Sequence, residues 1–167
     1  MLFSTIDHIG GAVFVRIRRW SLKLRNKPDL SFVESNLIVG GYCSIELLAN
    51  SGIQAIVDMR EESQDCQNDL KKFKINYLQI KVTDRNVPDI LDIRQGIHWI
   101  KSNIENGNTV FVHCNLGRGR GPLMVCSYLI ANGIESKEAI KTIKKIRKYT
   151  YFNKKQLKWI RVLSQNL

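Results

Sequence analysis

No apolar run in this 167-residue sequence approaches a membrane span: the longest candidate, Ile9–Val15, has seven residues. A spanning helix needs roughly 18 to 20, so a transmembrane protein is excluded. Proline is scarce (3 residues) and the 11 glycines follow no collagen-like period. With 44% apolar and 25% charged residues the chain has the make-up of a folded domain rather than a disordered one. The four cysteines, Cys43, Cys66, Cys114 and Cys126, contain no CxxC pair, and neither His8 nor His98 has a cysteine at ligand spacing. A disulfide framework and a zinc site are therefore not expected. In the absence of a signal peptide the cysteines read as reduced thiols in a reducing, cytoplasmic setting. No metal and no cofactor is expected.

Acidic residues are outnumbered, 15 against 26 Lys and Arg, giving a net charge of +11, and the excess sits at the two ends. Residues 1–30 hold six basic and two acidic residues, residues 137–167 ten and one, and the middle ten and twelve. Such ends attract polyanions in general, and charge alone does not choose among them. Residues 1–30 are read as a basic amphipathic segment apart from the domain that follows at 31–167. Three readings suit it: a helix on an anionic membrane surface with Trp20 at the interface, an Arg-rich organelle presequence opposed by Asp7, or a helix packed on the domain with a solvated basic face.

Beyond residue 31 strands and helices alternate. Leu37–Gly40, Ile53–Asp58, Asn76–Val82 and Thr109–His113 read as strands. A helix from about Pro88 to Asn106 carries Ile90, Ile93, Ile97, Ile100 and Ile104 on one face, with Gly107 past its end. The stretch from Pro122 to Asn132 is apolar nearly all round, as a buried central helix would be, and Gly133 ends it. Two further helices carry Ala139, Ile140, Ile143 and Ile146, then Leu157, Ile160 and Leu163. This pattern predicts a layered α/β domain without repeats.

Chemistry concentrates in Thr109–Pro122, TVFVHCNLGRGRGP. A strand runs into a seven-residue loop, Cys114–Arg120, and a buried helix follows at once. Glycines at 117, 119 and 121 would let successive backbone N–H groups form an anion nest, to which the helix adds its N-terminus. A cysteine at the base of such a nest is expected to rest as a thiolate nucleophile. Arg120, six residues on, can hold two phosphate oxygens with its planar fork. His113 is expected to fix the loop by hydrogen bonding. The Cys–Arg spacing alone is a weak signal; strand, His, glycines and helix are independent requirements, and all are met.

These residues, HCNLGRGRG, resemble the His-Cys-x5-Arg signature of the cysteine-dependent protein-tyrosine phosphatase superfamily, and the layout over roughly 31–167 is similar to the small dual-specificity phosphatases. The resemblance implies a single phosphatase domain with a central mixed sheet of four to five strands flanked by helices. It implies a phosphate loop made of His113, Asn115, Leu116, Gly117, Arg118, Gly119 and Gly121 around Cys114 and Arg120, and a general-acid aspartate on a loop some thirty residues before the cysteine. Asp84, in VTDR after a strand, stands in the matching place. An acid is needed because the leaving oxygen must be protonated as the P–O bond breaks. Asp89 and Asp92 are rivals, but helix capping and solvation explain them.

The implied reaction is phosphomonoester hydrolysis through a cysteinyl-phosphate, on phosphotyrosine and phosphoserine/threonine proteins. Two features point elsewhere. The family usually has Ser or Thr directly after the arginine, to assist thiolate departure, where this chain has Gly121; that leaves open a weakly turning-over phosphate-binding module. Arg118 resembles the extra cation of phosphoinositide and phosphatidylglycerophosphate phosphatases, which keeps phospholipid as an alternative substrate, unless the side chain points to solvent or meets a carboxylate. Gln156 could position water, Asp58 and Arg60 brace the core, and Cys126 is core. Nucleic acid is not expected as a partner, since no helix–turn–helix or aromatic sheet motif is present. A monomer is expected.

Overall fold

A computed structural model describes residues 2–163, and side chains from residue 10 onward; Asp7, His8 and Ile9 lie outside the described side chains. Its elements are α1 (Leu2–Leu24), β1 (Leu30–Glu34), β2 (Leu37–Gly41), α2 (Ile45–Asn50), β3 (Ala55–Arg60), α3 (Gln67–Lys72), β4 (Asn76–Val82), α4 (Ile90–Glu105), β5 (Val110–Cys114), α5 (Arg120–Ala131), α6 (Ser136–Ile146) and α7 (Lys154–Leu163). The strands form one mixed sheet in the order β1-β2-β5-β3-β4. Strands β2, β5, β3 and β4 run parallel, and β1 closes one edge antiparallel to β2. Among the described residues no helix is long and apolar enough to cross a membrane.

The period-two rule of strands sorts the core. Leu37 and Val39, Ala55, Val57 and Met59, and Val110, Val112 and Cys114 face α4–α7. The intervening Ile38, Ile56 and Phe111 face the other side and pack with Ile45, Leu48 and Leu70 of the two short helices. Every residue of α5 from Arg120 to Ile130 is buried, as an all-round apolar helix must be. On α4, Ile93 and Ile100 are buried while Ile90, Ile97 and Ile104 pack against the same core, and Asp89 caps the helix by accepting from the Leu91 N–H at 2.9 Å. Gly107 and Gly133 follow their helices with φ of +81° and +88°, the left-handed conformation glycine takes at no steric cost.

Helix α1 divides its basic residues between the domain and the solvent, where Arg16 and Lys23 are exposed. It is seated on the domain through Val15, and two of its arginines turn inward: Arg18 pairs with buried Asp29, and Arg19 donates to the Asn115 carbonyl and side chain at 3.1 and 3.0 Å. The outward face is apolar.

Candidate active site

Strand β5 lies at the centre of the parallel run, and the crevice outside the carboxyl ends of such strands is where open α/β sheets bind ligands. Cys114 is its last residue. Alternation then decides what its neighbour can do: His113 must face the opposite side of the sheet from the thiol. His113 is buried there, stacked on Phe111 with ring centroids 5.4 Å apart. Its Nε2 lies 3.1 Å from Asp65 Oδ2, and its Nδ1 3.3 Å from the Cys114 carbonyl. Asp58, Arg60 and Asp65 form a closed cluster around it. The Arg60 guanidinium donates to Asp58 at 2.7 and 2.8 Å and to Asp65 at 2.6 Å, and the Tyr77 hydroxyl donates to Asp58 at 3.0 Å. Asp58, Asp65 and His113 come close enough to hold a cation, but the Arg60 guanidinium already supplies the positive charge. Burial and the neighbouring carboxylates push the Tyr77 hydroxyl well above its ordinary pKa.

The loop Cys114–Arg120 curls over the strand end. Of the glycines expected to permit its shape, Gly117 alone has a positive φ, +63°; a Cβ there would strike the Gly40 backbone and the Arg147 guanidinium. Gly119 has φ −127° and ψ −77°, and Gly121 is already helical. Gly121 is small for a different reason, since a Cβ would lie 3.3 Å from the His113 carbonyl carbon and 3.4 Å from the Cys114 nitrogen. Buried Arg147 braces the loop from beneath. Its Nε donates to the Gly117 carbonyl at 2.6 Å, one terminal nitrogen reaches the Leu116 carbonyl at 3.3 Å, and both terminal nitrogens grip Asp29, at 2.5 and 3.2 Å.

Above the loop opens a cavity of about 520 Å³ with Cys114, Asn115, Leu116, Arg118, Gly119 and Arg120 in its floor. His113, Gly117 and Gly121 stand behind it. Arg120, the first residue of α5, donates to the Glu62 carboxylate through both terminal nitrogens at 2.6 and 2.8 Å and to the Val82 carbonyl at 2.8 Å. Its Nε is buried with no hydrogen-bond partner among the described residues. The Arg120 guanidinium draws the Glu62 carboxyl down to about 2, and the same contact raises the pKa of Arg120 against the lowering effect of burial.

Asp84 follows β4 in a turn closed by the Asn86 N–H donating to the Thr83 carbonyl at 3.0 Å, and its carboxylate lies 3.3 Å from the Arg120 guanidinium. Of the three aspartates weighed as acid, Asp84 lines the cavity, whereas Asp89 caps α4 and Asp92 lies in its first turn. Arg118 does not point to solvent. It is largely buried; its Nε donates to the Tyr149 carbonyl at 3.0 Å and its guanidinium lies over the Tyr151 ring. Gly11 of α1 backs onto it, where a Cβ would come 2.6 Å from a guanidinium nitrogen. Gln156 lines the far wall, donating to the Asn86 carbonyl at 3.0 Å.

Sequence reasoning missed Glu61 and Glu62, which line the cavity, and the Asp29–Arg147 pair beneath it. The carboxylates were accessible to it: they directly follow β3, the parallel neighbour of β5, so their loop must open on the same edge. The Asp29–Arg147 contact joins residues 118 positions apart and leaves no local trace.

A thiol-bearing loop between a central parallel strand and a buried helix, with an arginine at its exit, defines the cysteine-dependent protein-tyrosine phosphatase superfamily. Residues 37–166 match the dual specificity phosphatase catalytic domain, and the chain belongs to that family. The phosphatidylglycerophosphatase and protein-tyrosine phosphatase 1 of Homo sapiens is 26% identical over 119 residues, covering 67% of this chain and 59% of that protein. Dual specificity protein phosphatase 5 of Rattus norvegicus is 33% identical over 105 residues, covering 61% of this chain and 26% of its own length. The crystal structure of Tk-PTP in its active form shares the fold at a TM-score of 0.78 and 19% identity, covering 84% of this chain and 99% of that one. The chain spans 59% to 61% of the length of the human, mouse and rat phosphatidylglycerophosphatase relatives it matches.

Proposed function

We propose that this chain hydrolyses phosphomonoesters through a cysteinyl-phosphate on Cys114, acting on phosphotyrosine and phosphoserine/threonine in proteins. The observation that carries the reading is the state of Arg120: a buried guanidinium in the wall of the cavity that holds the thiol, gripped by a carboxylate, with a buried Nε that has no partner among the described residues. A carboxylate and a phosphate present the same pair of oxygens to that fork. In the first step the Cys114 sulfur attacks phosphorus, the S–P bond forms, the ester P–O bond breaks and Asp84 gives its proton to the leaving oxygen. In the second, Asp84 takes a proton from water, the water oxygen attacks phosphorus and the S–P bond breaks, releasing phosphate and the thiolate. Arg120 and the N-terminus of α5 stabilise the oxygens on which charge develops. The four cysteines are unpaired thiols, and this chemistry needs Cys114 reduced, which suits the cytoplasm.

A phospholipid phosphomonoester is the second reading. It is favoured by Arg16 and Arg118, which line the cavity beside Arg120 and offer cations to a substrate with additional negative charge. The test of the chemistry is hydrolysis of an aryl phosphate. Cys114→Ser is expected to abolish it, and Asp84→Asn to lower kcat by about 10²–10⁴, more for a poor leaving group than a good one. Activity in Cys114→Ser equal to wild type would end the proposal. Side-by-side turnover of a phosphotyrosyl peptide and phosphatidylglycerophosphate in vesicles separates the two substrate classes.

A further inference from the structure

The outward face of α1 is unlike the rest of the surface. Val13, Ile17, Trp20 and Leu24 are 50%, 60%, 66% and 66% exposed, and Phe14 beside them 57%. At about 100° per residue the first four fall within roughly 60° of the helix circumference. They lie opposite Val15, the residue that seats the helix on the domain. Arg16 and Lys23 border the stripe on one side and Arg25 on the other, all exposed. No acidic residue occurs between positions 10 and 27. Next to Phe14, Lys144 and Lys148 continue the basic rim along a groove.

An apolar stripe centred on an exposed helix and edged with cations is what a helix lying in a membrane interface requires. It is a poor face for water, which it meets with five large apolar side chains. A second copy of the chain is a poor occupant too. A two-fold contact through the stripe would bring Arg16, Lys23 and Arg25 of one protomer against the same cations of the other.

We propose that α1 docks this protein on an anionic lipid bilayer. Val13, Ile17, Trp20 and Leu24 enter the boundary between headgroups and acyl chains, while Arg16, Lys23 and Arg25 meet the lipid phosphates. The inner face keeps the helix on the domain during docking, because Arg18 is paired with Asp29, and Arg19 is bonded to Asn115 and to the Tyr42 carbonyl. Helix α1 also walls the Cys114 cavity through Ala12 and Arg16, so docking sets that cavity beside the headgroups. Docking involves no hydrolysis, and it stands or falls apart from the chemistry proposed above.

The test is co-sedimentation of the full chain with vesicles of neutral phosphatidylcholine, with and without about 30% phosphatidylglycerol. Wild type is expected to bind the anionic vesicles at least about tenfold more tightly than the neutral ones, and less as salt is raised. The double variant Ile17→Ser, Trp20→Ser is expected to lose at least about tenfold in binding to anionic vesicles, since attachment scales with buried apolar area. Its circular dichroism and melting should match wild type, both side chains being exposed. Equal binding of wild type and double variant would overturn the proposal, as would failure of wild type to sediment with anionic vesicles. So would a dimer in gel filtration that the double variant dissolves, which would assign the stripe to a second copy.

Discussion

Two arginines lie within the same loop architecture, and they differ in what holds them. Arg120 is 3% exposed and Arg147 1%, and each is gripped by a carboxylate through both terminal nitrogens. The partner of Arg147 is Asp29, itself buried; its Nε is taken by the Gly117 carbonyl and nothing is left over. The carboxylate that grips Arg120 is Glu62, whose side chain is 44% exposed, and the Arg120 Nε has no hydrogen-bond partner among the described residues. A buried pair closed on both sides can only brace. A buried cation whose partner can swing into water is able to trade that partner for a ligand. The exposure of the carboxylate, more than that of the arginine, separates the floor of the site from its working face.

The largest effect is expected at Asp29. Asp29→Ala would leave the Arg147 guanidinium buried without its counter-ion, and would free Arg18 and the Tyr149 hydroxyl as well. Removing one partner of a buried pair costs about 3–5 kcal/mol, and that loss is the expected outcome in urea denaturation. A change under about 1 kcal/mol would show that Arg147 finds other compensation and that the two arginines are less different than their partners suggest.

How far the sequence carried the reading follows the same division. The parallel strands, α4 and α5 were legible because each carries a run long enough to show its period. Cys114, Arg120 and Asp84 could be singled out as candidates because they sit at strand and helix ends that the pattern marks. Strand β1 was missed: five residues at a sheet edge, half-exposed, show no clean alternation. The helices α2 and α3, of six residues each, are shorter than two turns and show no stripe. The lysines of Glu138–Gln156 read as a solvated face, with docking to a membrane or an acidic partner as the other reading. That holds for Lys141, which is exposed, but Arg147 in the same run is wholly buried. Only the fold brings Asp29 to it, so no local pattern could have told the two apart. Arg118 could not be aimed from sequence for the same reason, because what holds it is Gly11 and Tyr149, far away along the chain.

Glu62 governs the open side of Arg120. Hydrogen bonding from Arg120 lowers its carboxyl from 4.5 to about 2 in the folded protein. A depressed folded pKa contributes stability that is complete above about pH 4.5 and is lost as pH falls toward 2, with no slope near neutrality. Glu62→Gln should therefore flatten the acid limb of a stability–pH profile between those values. At pH 7 the ionised carboxylate competes with a phosphate for the same fork. Removing its charge should tighten inhibition by inorganic phosphate by about threefold, the modest effect expected of a half-exposed ion pair. Weaker inhibition would mean that Glu62 holds the guanidinium in place for phosphate rather than competing with it.

The smallest effect is expected at Gly121, where the working face and the brace meet. Serine at this position would place its Cβ 3.3–3.4 Å from the backbone of His113 and Cys114, a contact that needs a shift of a few tenths of an ångström. Crowding of this kind costs about 1–3 kcal/mol when a core cannot yield. Against it stands a gain of about 0.5 kcal/mol from replacing glycine inside a helix. Gly121→Ser should thus fold with a net loss of at most about 2.5 kcal/mol. It would carry a hydroxyl against the strand end that bears the thiol, where it can donate to the sulfur as the S–P bond breaks. The expected outcome is about a twofold drop in the phosphoenzyme trapped by rapid quench. An unchanged trapped fraction at unchanged stability would show that departure of the thiolate is already assisted without that hydroxyl, and the glycine would then be explained by packing against β5 alone.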